Sequence, residues 1–242
     1  MRVALFVTCL VDAWVPQVGR AVIALLERLG VTADVPLEQS CCGQMHVNTG
    51  YPDLAVPLVR RYVRAFAGYD AIVVPSGSCA AAVRHQHAGL AESAGDTALR
   101  RQAEDVASRT YELSEFLVDV LGVSDVGAYF PHRVTYHPTC HSMRVLRVGS
   151  RPLRLLRAVE GIDLTELPDA TQCCGFGGTF AVKNAAVSAA MLADKTAAIR
   201  TTGAGFCAAS DASCLLHIGG GLSRLKTGVQ TRHIAEILAR TR

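Results

Sequence analysis

The chain has 242 residues, half of them hydrophobic and 19% charged, with a mean hydropathy of +0.26; that composition fills a core and excludes a disordered or low-complexity scaffold. At roughly 150 residues per domain, the length allows one large domain or two small ones. The formal net charge is only +3, the basic residues are scattered and aromatics make up 6%, which excludes both the charged, stacking surface of a nucleic-acid-binding protein and a membrane-surface footprint.

Val3 to Val7 is a continuous apolar run, suited to a strand buried on both faces of a parallel sheet. It is read as that strand and not as a signal peptide, because Asp12 interrupts the apolar stretch and no small-residue cleavage site follows. No run reaches the roughly 18–20 apolar residues of a membrane span, so the expected location is the cytoplasm. Val18, Ala21, Val22, Leu25, Leu26 and Leu29 follow helical spacing and stop at Gly30. Leu54 to Phe66 repeats that pattern, and Ala71 to Val74 is a second buried strand, ended by Pro75-Ser76-Gly77-Ser78. Leu113 to Leu121 predicts another helix, closed by Gly122, and the glycine- and proline-containing stretch from about Gly122 to His132 reads as a linker.

A second cycle then begins. It predicts a strand at Val134–Tyr136, a helix from about Pro152 to Val159 and a strand from Ile162 to Leu167. A long helix from about Phe180 to Arg200, a strand from Gly205 to Ala209 and a last helix from His233 to Arg240 complete it. Alternating strands and helices imply parallel sheets with helices on their faces.

Nine cysteines mark the two cycles. An odd number without an export signal argues against a disulfide framework, and in a reducing compartment points to metal binding or redox chemistry. Cys9, Cys41, Cys42 and Cys79 recur as Cys140, Cys173, Cys174 and Cys214 at offsets of 131, 132, 132 and 135 residues. The expected fold is therefore α/β, with two pseudo-symmetric lobes, residues 1–130 and 131–242. Each lobe is a small parallel sheet flanked by helices with its own apolar core, and the cysteines sit at the carboxyl ends of the strands. Cys207 aligns with Ile72 inside a strand and is expected to be a core residue.

Four soft thiolates per lobe suit an iron–sulfur cluster or zinc. A vicinal pair at a helix start would gain from the exposed amides there. Gly43 and Gly175 either let the backbone pass close to a bulky inorganic group or make tight turns, and Gly177, Gly178 and Gly219 to Gly221 extend the same choice. The Gly-Phe-Gly-Gly run is not a phosphate loop, since no Lys-Ser/Thr follows. His137, His141, His46 and His217 lie near the cysteines in sequence; each is either a donor or ligand to the metal group, a proton relay, or a polar residue satisfied locally. His233 is expected to cap the last helix, and Asp12 is an acid/base candidate or an N-cap.

The chain resembles the cysteine-rich CCG domain family of heterodisulfide reductase B subunits, glycolate oxidase iron–sulfur subunits and succinate dehydrogenase relatives, and within it the lactate-utilization branch. The resemblance rests on Leu5-Phe6-Val7-Thr8-Cys9-Leu10-Val11-Asp12, Cys41-Cys42-Gly43-Gln44, Pro75-Ser76-Gly77-Ser78-Cys79 and Thr110-Tyr111-Glu112-Leu113. In the second half it rests on Cys173-Cys174-Gly175-Phe176-Gly177-Gly178-Thr179-Phe180, Ile218-Gly219-Gly220 and His233-Ile234-Ala235-Glu236.

The resemblance implies that Cys9, Cys41, Cys42 and Cys79 hold one iron–sulfur cluster and that Cys140, Cys173, Cys174 and Cys214 hold another. The fuller family pattern ends each repeat in Cys-x-x-Cys, giving five thiolates; here Ser76 and Asp211 stand at the first of those positions. Four thiolates match one or two [4Fe–4S] centres, with zinc as an adventitious substitute. The resemblance further implies an electron-transfer subunit, inactive alone. It would oxidise L-lactate to pyruvate together with two partners, the lactate utilization B- and C-type proteins. The alternatives are a thiol–disulfide reductase subunit of the heterodisulfide type and a zinc-stabilised interaction subunit without redox activity.

Overall fold

A computed structural model describes residues 1–242. Its first sheet holds β1 (Val3–Leu5), β2 (Ala33–Asp34), β3 (Ala71–Val74) and β4 (Thr110–Glu112), in the order β2-β1-β3-β4, all parallel. The second holds β5 (Arg133–His137), β6 (Asp163–Thr165), β7 (Phe206–Ala209) and β8 (Gln230–His233), in the order β6-β5-β7-β8, also parallel. The registers correspond as well: Ala4 faces Ile72 in the first sheet and Thr135 faces Cys207 in the second. Ala4, Leu5 and Ile72 to Val74 are fully buried, as a strand covered by helices on both faces requires. The α/β architecture of two small parallel sheets is thus as the repeat predicts.

The helices of the first half are α1 (Cys9–Trp14), α2 (Gln17–Arg28), α3 (Gln44–Thr49), α4 (Val56–Phe66), α5 (Gly77–His85), α6 (His87–Ser93), α7 (Thr97–Ser108) and the short α8 (Leu113–Glu115), which runs on as a π-helical turn to Val120. The second half has a π-helical turn at Ser142–Leu146, α9 (Arg151–Arg157), α10 (Phe180–Lys183), α11 (Ala185–Thr201), α12 (Ala212–Arg224) and α13 (Ile234–Ala239). The long helix expected from Phe180 is broken at Asn184. The edge strands β2, β4 and β8 carry no apolar run, which is why periodicity missed them. Helix α12 was hidden by its three consecutive glycines.

Two expectations are corrected by packing. The stretch 122–132 is no solvated linker: Val126, Ala128 and Phe130 are buried, and Tyr129 and Phe130 donate backbone N–H groups to Arg240 and Glu160. Nor does each lobe rely on its own core. The largest apolar cluster, 26 buried residues, takes Val3, Leu5, Val22 and Phe116 from the first half together with Tyr136, Leu155, Ala208 and Leu238 from the second. Separate clusters lie beyond it on the outer faces. The last helix, α13, packs on α2 of the other lobe, and the Arg28 guanidinium donates to the backbone carbonyls of Leu238 and Ala239.

The lobes also meet where α5 abuts the π-helical turn at Ser142. A Cβ on Gly77 would lie 1.8 Å from Ser142 Oγ and 3.2 Å from its Cα. Ser142 has little freedom to yield, because its hydroxyl accepts from Thr139 Oγ1 and sits 3.3 Å from Ser210 Oγ. Gly77→Ala is therefore expected to lower the unfolding free energy by about 1–3 kcal/mol. Gly89→Ala, on the open face of α6 with nothing within 4 Å, is expected to raise it by about 0.5–1 kcal/mol. Denaturant unfolding of the two variants checks both signs.

Candidate metal centre

All four strand–helix junctions that carry the cysteines open onto one cavity between the lobes. Cys9 begins α1, Cys79 lies in the first turn of α5, and Cys214 lies in the first turn of α12. Cys140 precedes the π-helical turn, and the pairs Cys41-Cys42 and Cys173-Cys174 sit in loops. All eight line the same cavity, together with Gln44, Met45, His141 and Phe176. Cys207 lies inside β7, fully buried and away from the cavity lining.

The local geometry repeats between lobes. Gly43 and Gly175 both take left-handed backbone angles, at φ of +85° and +90°. Each turns its N–H onto the sulfur two residues back, Gly43 to Cys41 and Gly175 to Cys173, at 3.4 Å in both cases. A Cβ on Gly175 would come within 2.7 Å of the Ser188 carbonyl oxygen, so this position needs glycine for both shape and space. The helix-start argument for the pairs is not borne out in the second lobe, where α10 begins only at Phe180; the glycine amides do that work. Gly219 and Gly221 lie inside α12 and admit Thr231, Leu192 and Thr196, so their role is close helix packing.

Crowding decides the protonation states. Cys9 and Cys41 sulfurs are 3.8 Å apart. Hydrogen bonds from Cys42, Cys9 and the Gly43 amide pull the Cys41 thiol down to about 2, and bonds from Cys140, Cys174 and the Gly175 amide do the same for Cys173. Their neighbours Cys9, Cys42, Cys140 and Cys174 are pushed up, first because they are the donors in these bonds and then by burial. Without a cation Cys41 is thus a thiolate beside the thiols of Cys9 and Cys42, and Cys173 a thiolate beside those of Cys140 and Cys174. Four soft donors converging in this way fit a thiolate-ligated metal group, whose positive charge would let the remainder ionise.

The second set has a feature the first lacks. His137, at the end of β5, is 1% exposed, and neither ring nitrogen has a hydrogen-bond partner. One of its nitrogens and the sulfurs of Cys174 and Cys214 all lie within 4.8 Å of one another. Burial costs such a group dearly unless something supplies a partner.

Of the other candidates, His141, His217 and His233 are engaged by neighbours. His141 Nε2 lies 3.0 Å from the Gln44 side-chain nitrogen, which can only donate, so the contact bridges the lobes. His217 is half-buried on α12, 3.3 Å from Ser188 Oγ. His46 lies on α3, with its Nδ1 buried and unpartnered. His233 caps α13 as expected: its Nδ1 accepts from the Ala235 amide and its Nε2 donates to the Pro75 carbonyl of the other lobe. Asp12 is exposed within α1 and is neither its N-cap nor part of the cavity.

What the sequence did not disclose is that the two departures from the fuller cysteine pattern touch. Asp211 is 2% exposed, and its carboxylate accepts from Ser76 Oγ at 2.5 Å, Ser78 Oγ at 2.8 Å and the Ser78 amide at 3.2 Å. The signal was that both repeats carry a polar residue at the same position, three before the last cysteine.

The thiolate pattern gives an expected outcome. In the reduced, metal-free chain at pH 6, lowered groups are thiolates and raised groups are thiols, and only the thiolate is a nucleophile. Iodoacetamide should therefore label Cys41 and Cys173 at least about tenfold faster than Cys42, Cys174 and Cys207, read by peptide mass spectrometry. Equal labelling of all nine would contradict the crowding argument.

Comparison with known proteins agrees with this geometry. The family model for the cysteine-rich CCG domain matches residues 3–84 and 134–219. Over 238 residues the chain is 47% identical to lactate utilization protein A of Geobacillus kaustophilus, covering 98% of both chains. It is 45% identical over 238 residues to lactate utilization protein A of Bacillus pumilus, covering 98% of this chain and 99% of that one. Identity is 42% over 240 residues to a lactate utilization protein A 2 of Bacillus cereus, covering 99% of this chain and 98% of that one.

Proposed function

This chain belongs to the lactate utilization protein A family of cysteine-rich CCG-domain proteins, and from that membership we propose that it is an iron–sulfur electron-transfer subunit of a multi-component system oxidising L-lactate to pyruvate. The observation that carries the reading is the convergence of eight cysteines, in two repeated sets, on one cavity between the lobes. Cys9, Cys41, Cys42 and Cys79 would hold one cluster, and Cys140, Cys173, Cys174 and Cys214 the other. A bound cluster supplies one-electron transfer at a thiolate-ligated iron site.

The protein's own residues do the rest. The neighbouring thiols, with the Gly43 and Gly175 amides, hold Cys41 and Cys173 as thiolates before a metal arrives. Gln44 with His141, and Thr49 with Thr179 at 2.7 Å, close the loops of one lobe over those of the other. Asp211 is committed to Ser76 and Ser78, so it is not free to act as a fifth donor. Four thiolates per set favour [4Fe–4S] centres over a five-thiolate non-cubane cluster.

Conversion of L-lactate to pyruvate releases two electrons and two protons. Two one-electron sites in one cavity match the electron count, while the hydroxy-acid chemistry falls to the lactate utilization B- and C-type partners. No helix is long and apolar enough to cross a membrane, and the system is placed in the cytoplasm on the same reading.

The test is iron and sulfide analysis after anaerobic purification, with EPR. Cys42→Ser and Cys174→Ser should each remove about half of the bound iron, because a hydroxyl is a poorer ligand for this soft site. Cys207→Ala should leave the iron count unchanged and cost about 1 kcal/mol of packing. A colourless chain holding only zinc, or iron loss in Cys207→Ala with retention in Cys174→Ser, would overturn the assignment. Lactate-dependent dye reduction should be near background for the isolated chain and appear when both partner proteins are added; robust turnover of a disulfide by the chain alone would instead support a thiol–disulfide reductase.

A further inference from the structure

The two cysteine sets repeat, but the walls behind them do not. In the first lobe the residue three before Cys9 is Phe6, which packs edge-on against Tyr62 and Phe66 at centroid distances of 5.0 and 5.6 Å. Ala4 and Ile72 complete that wall, both fully buried, and the one histidine packed against it, His87, is committed to the Cys42 carbonyl at 2.8 Å. In the second lobe the corresponding register positions hold polar atoms. Thr135 and Cys207 stand where Ala4 and Ile72 stand, and His137 stands where Phe6 stands. Helix α11 adds Lys195, 1% exposed, whose ammonium donates to the Asp169 carbonyl at 2.9 Å. Its charge also acts on Cys174 and Cys140.

His137 is the member of this wall that reaches the sulfurs. Both of its nitrogens are buried without partners, and one lies within 4.8 Å of both Cys174 and Cys214 sulfurs. In either tautomer the ring carries at least one N–H. A buried N–H with no oxygen acceptor, beside two sulfurs, has an evident acceptor once those sulfurs are metal-bound and electron-rich. Hydrogen bonds to the sulfurs and nearby positive charge are what stabilise the reduced, more negative form of such a centre.

We propose that His137 is a tuning residue: its ring N–H donates to the sulfur of Cys174 or Cys214 in the loaded protein and makes the second cluster the easier of the two to reduce. The inference rests on the iron–sulfur reading above and adds a direction to it. With clusters bound, an electron derived from lactate oxidation and held by the first cysteine set would pass to the second, one site giving up the electron that the other gains, with no proton moved. The second lobe is then the exit side of the pair.

The experiment is an EPR-monitored redox titration of the reconstituted full chain, with iron counted in parallel and the second signal identified as the one lost in Cys174→Ser. Wild type should show two midpoints, the second cluster's being higher. His137→Phe, which copies the first lobe, should lower the second midpoint by at least ~59 mV, the equivalent of a tenfold change in a one-electron equilibrium. The first midpoint and the iron count should not change. His137→Gln, which retains an N–H donor, should restore at least half of the shift. A measurement free of any variant is pulsed EPR with 15N-labelled histidine, in which a weak nitrogen coupling should change at the second cluster and not at the first. Unchanged midpoints with both clusters bound would overturn the tuning role alone. Iron loss from the second set in His137→Phe, or a coupling as large as that of an iron-bound imidazole, would overturn it in favour of ligation. A wild-type chain that binds no cluster would overturn both this inference and the reading beneath it.

Discussion

Sulfurs crowded as closely as those of Cys9 and Cys41, 3.8 Å apart, cannot all carry charge in a partly buried site, and this constraint organises the structure around each cysteine set. Cys41 and Cys173 survive as thiolates, because a glycine amide and the neighbouring thiols donate to each. Cys9, Cys42, Cys140 and Cys174 stay protonated until a cation joins them. The left-handed glycine after each vicinal pair is thus both a turn and a donor, and its repetition at the same distance in two lobes of different sequence is what mutual sulfur repulsion demands. The strands serve this arrangement by ending where the sulfurs must be, since the carboxyl ends of both parallel sheets face the same cavity.

Two lobes built alike need not be independent, and here they are not. The apolar cluster that joins β1, α2, β5 and α13 would be split by any cut between the repeats, and Arg28 ties α2 to the end of the chain. Burying a shared core fixes the distance between the cysteine sets far more firmly than surface contacts would, because interiors pack like crystals and yield little. The polar bonds at the boundary then set orientation. His233 illustrates this with both nitrogens used, one to cap its own helix and one to hold the Pro75 carbonyl of the other lobe.

Most of this was legible in the sequence where physics leaves a periodic or repeated trace. Buried parallel strands are apolar on both faces, so Val3–Leu5 and Ala71–Val74 were readable, and the fourfold cysteine spacing revealed the duplication. The edge strands were not readable, because Thr110-Tyr111-Glu112 and Gln230-Thr231-Arg232 need only backbone pairing on one side and so carry no hydrophobic signature. Glycines in α12 mislead for a related reason: they answer to Thr231 and Leu192 on neighbouring elements, which local sequence cannot show. The stretch around Phe130 looked like a linker because its glycines and proline mask an alternation of buried residues. The role of His137 was open in the sequence among several readings. Only the structure shows that its nitrogens are partnerless beside two sulfurs.

Ser76 and Asp211 occupy equivalent positions, three residues before the last cysteine of each set. The two side chains form a buried contact between the lobes. An aspartate in that environment needs several donors, and it obtains the Ser76 and Ser78 hydroxyls with the Ser78 amide at the start of α5. That amide lies at the positive end of a nine-residue helix, where a carboxylate is favoured. The residue in one lobe is therefore intelligible only with that in the other. A serine alone would leave its hydroxyl to a sulfur, and an aspartate alone would bring unpaired charge into a site already short of cations. Together they place, in the cavity that both cysteine sets line, a bond that joins the two lobes.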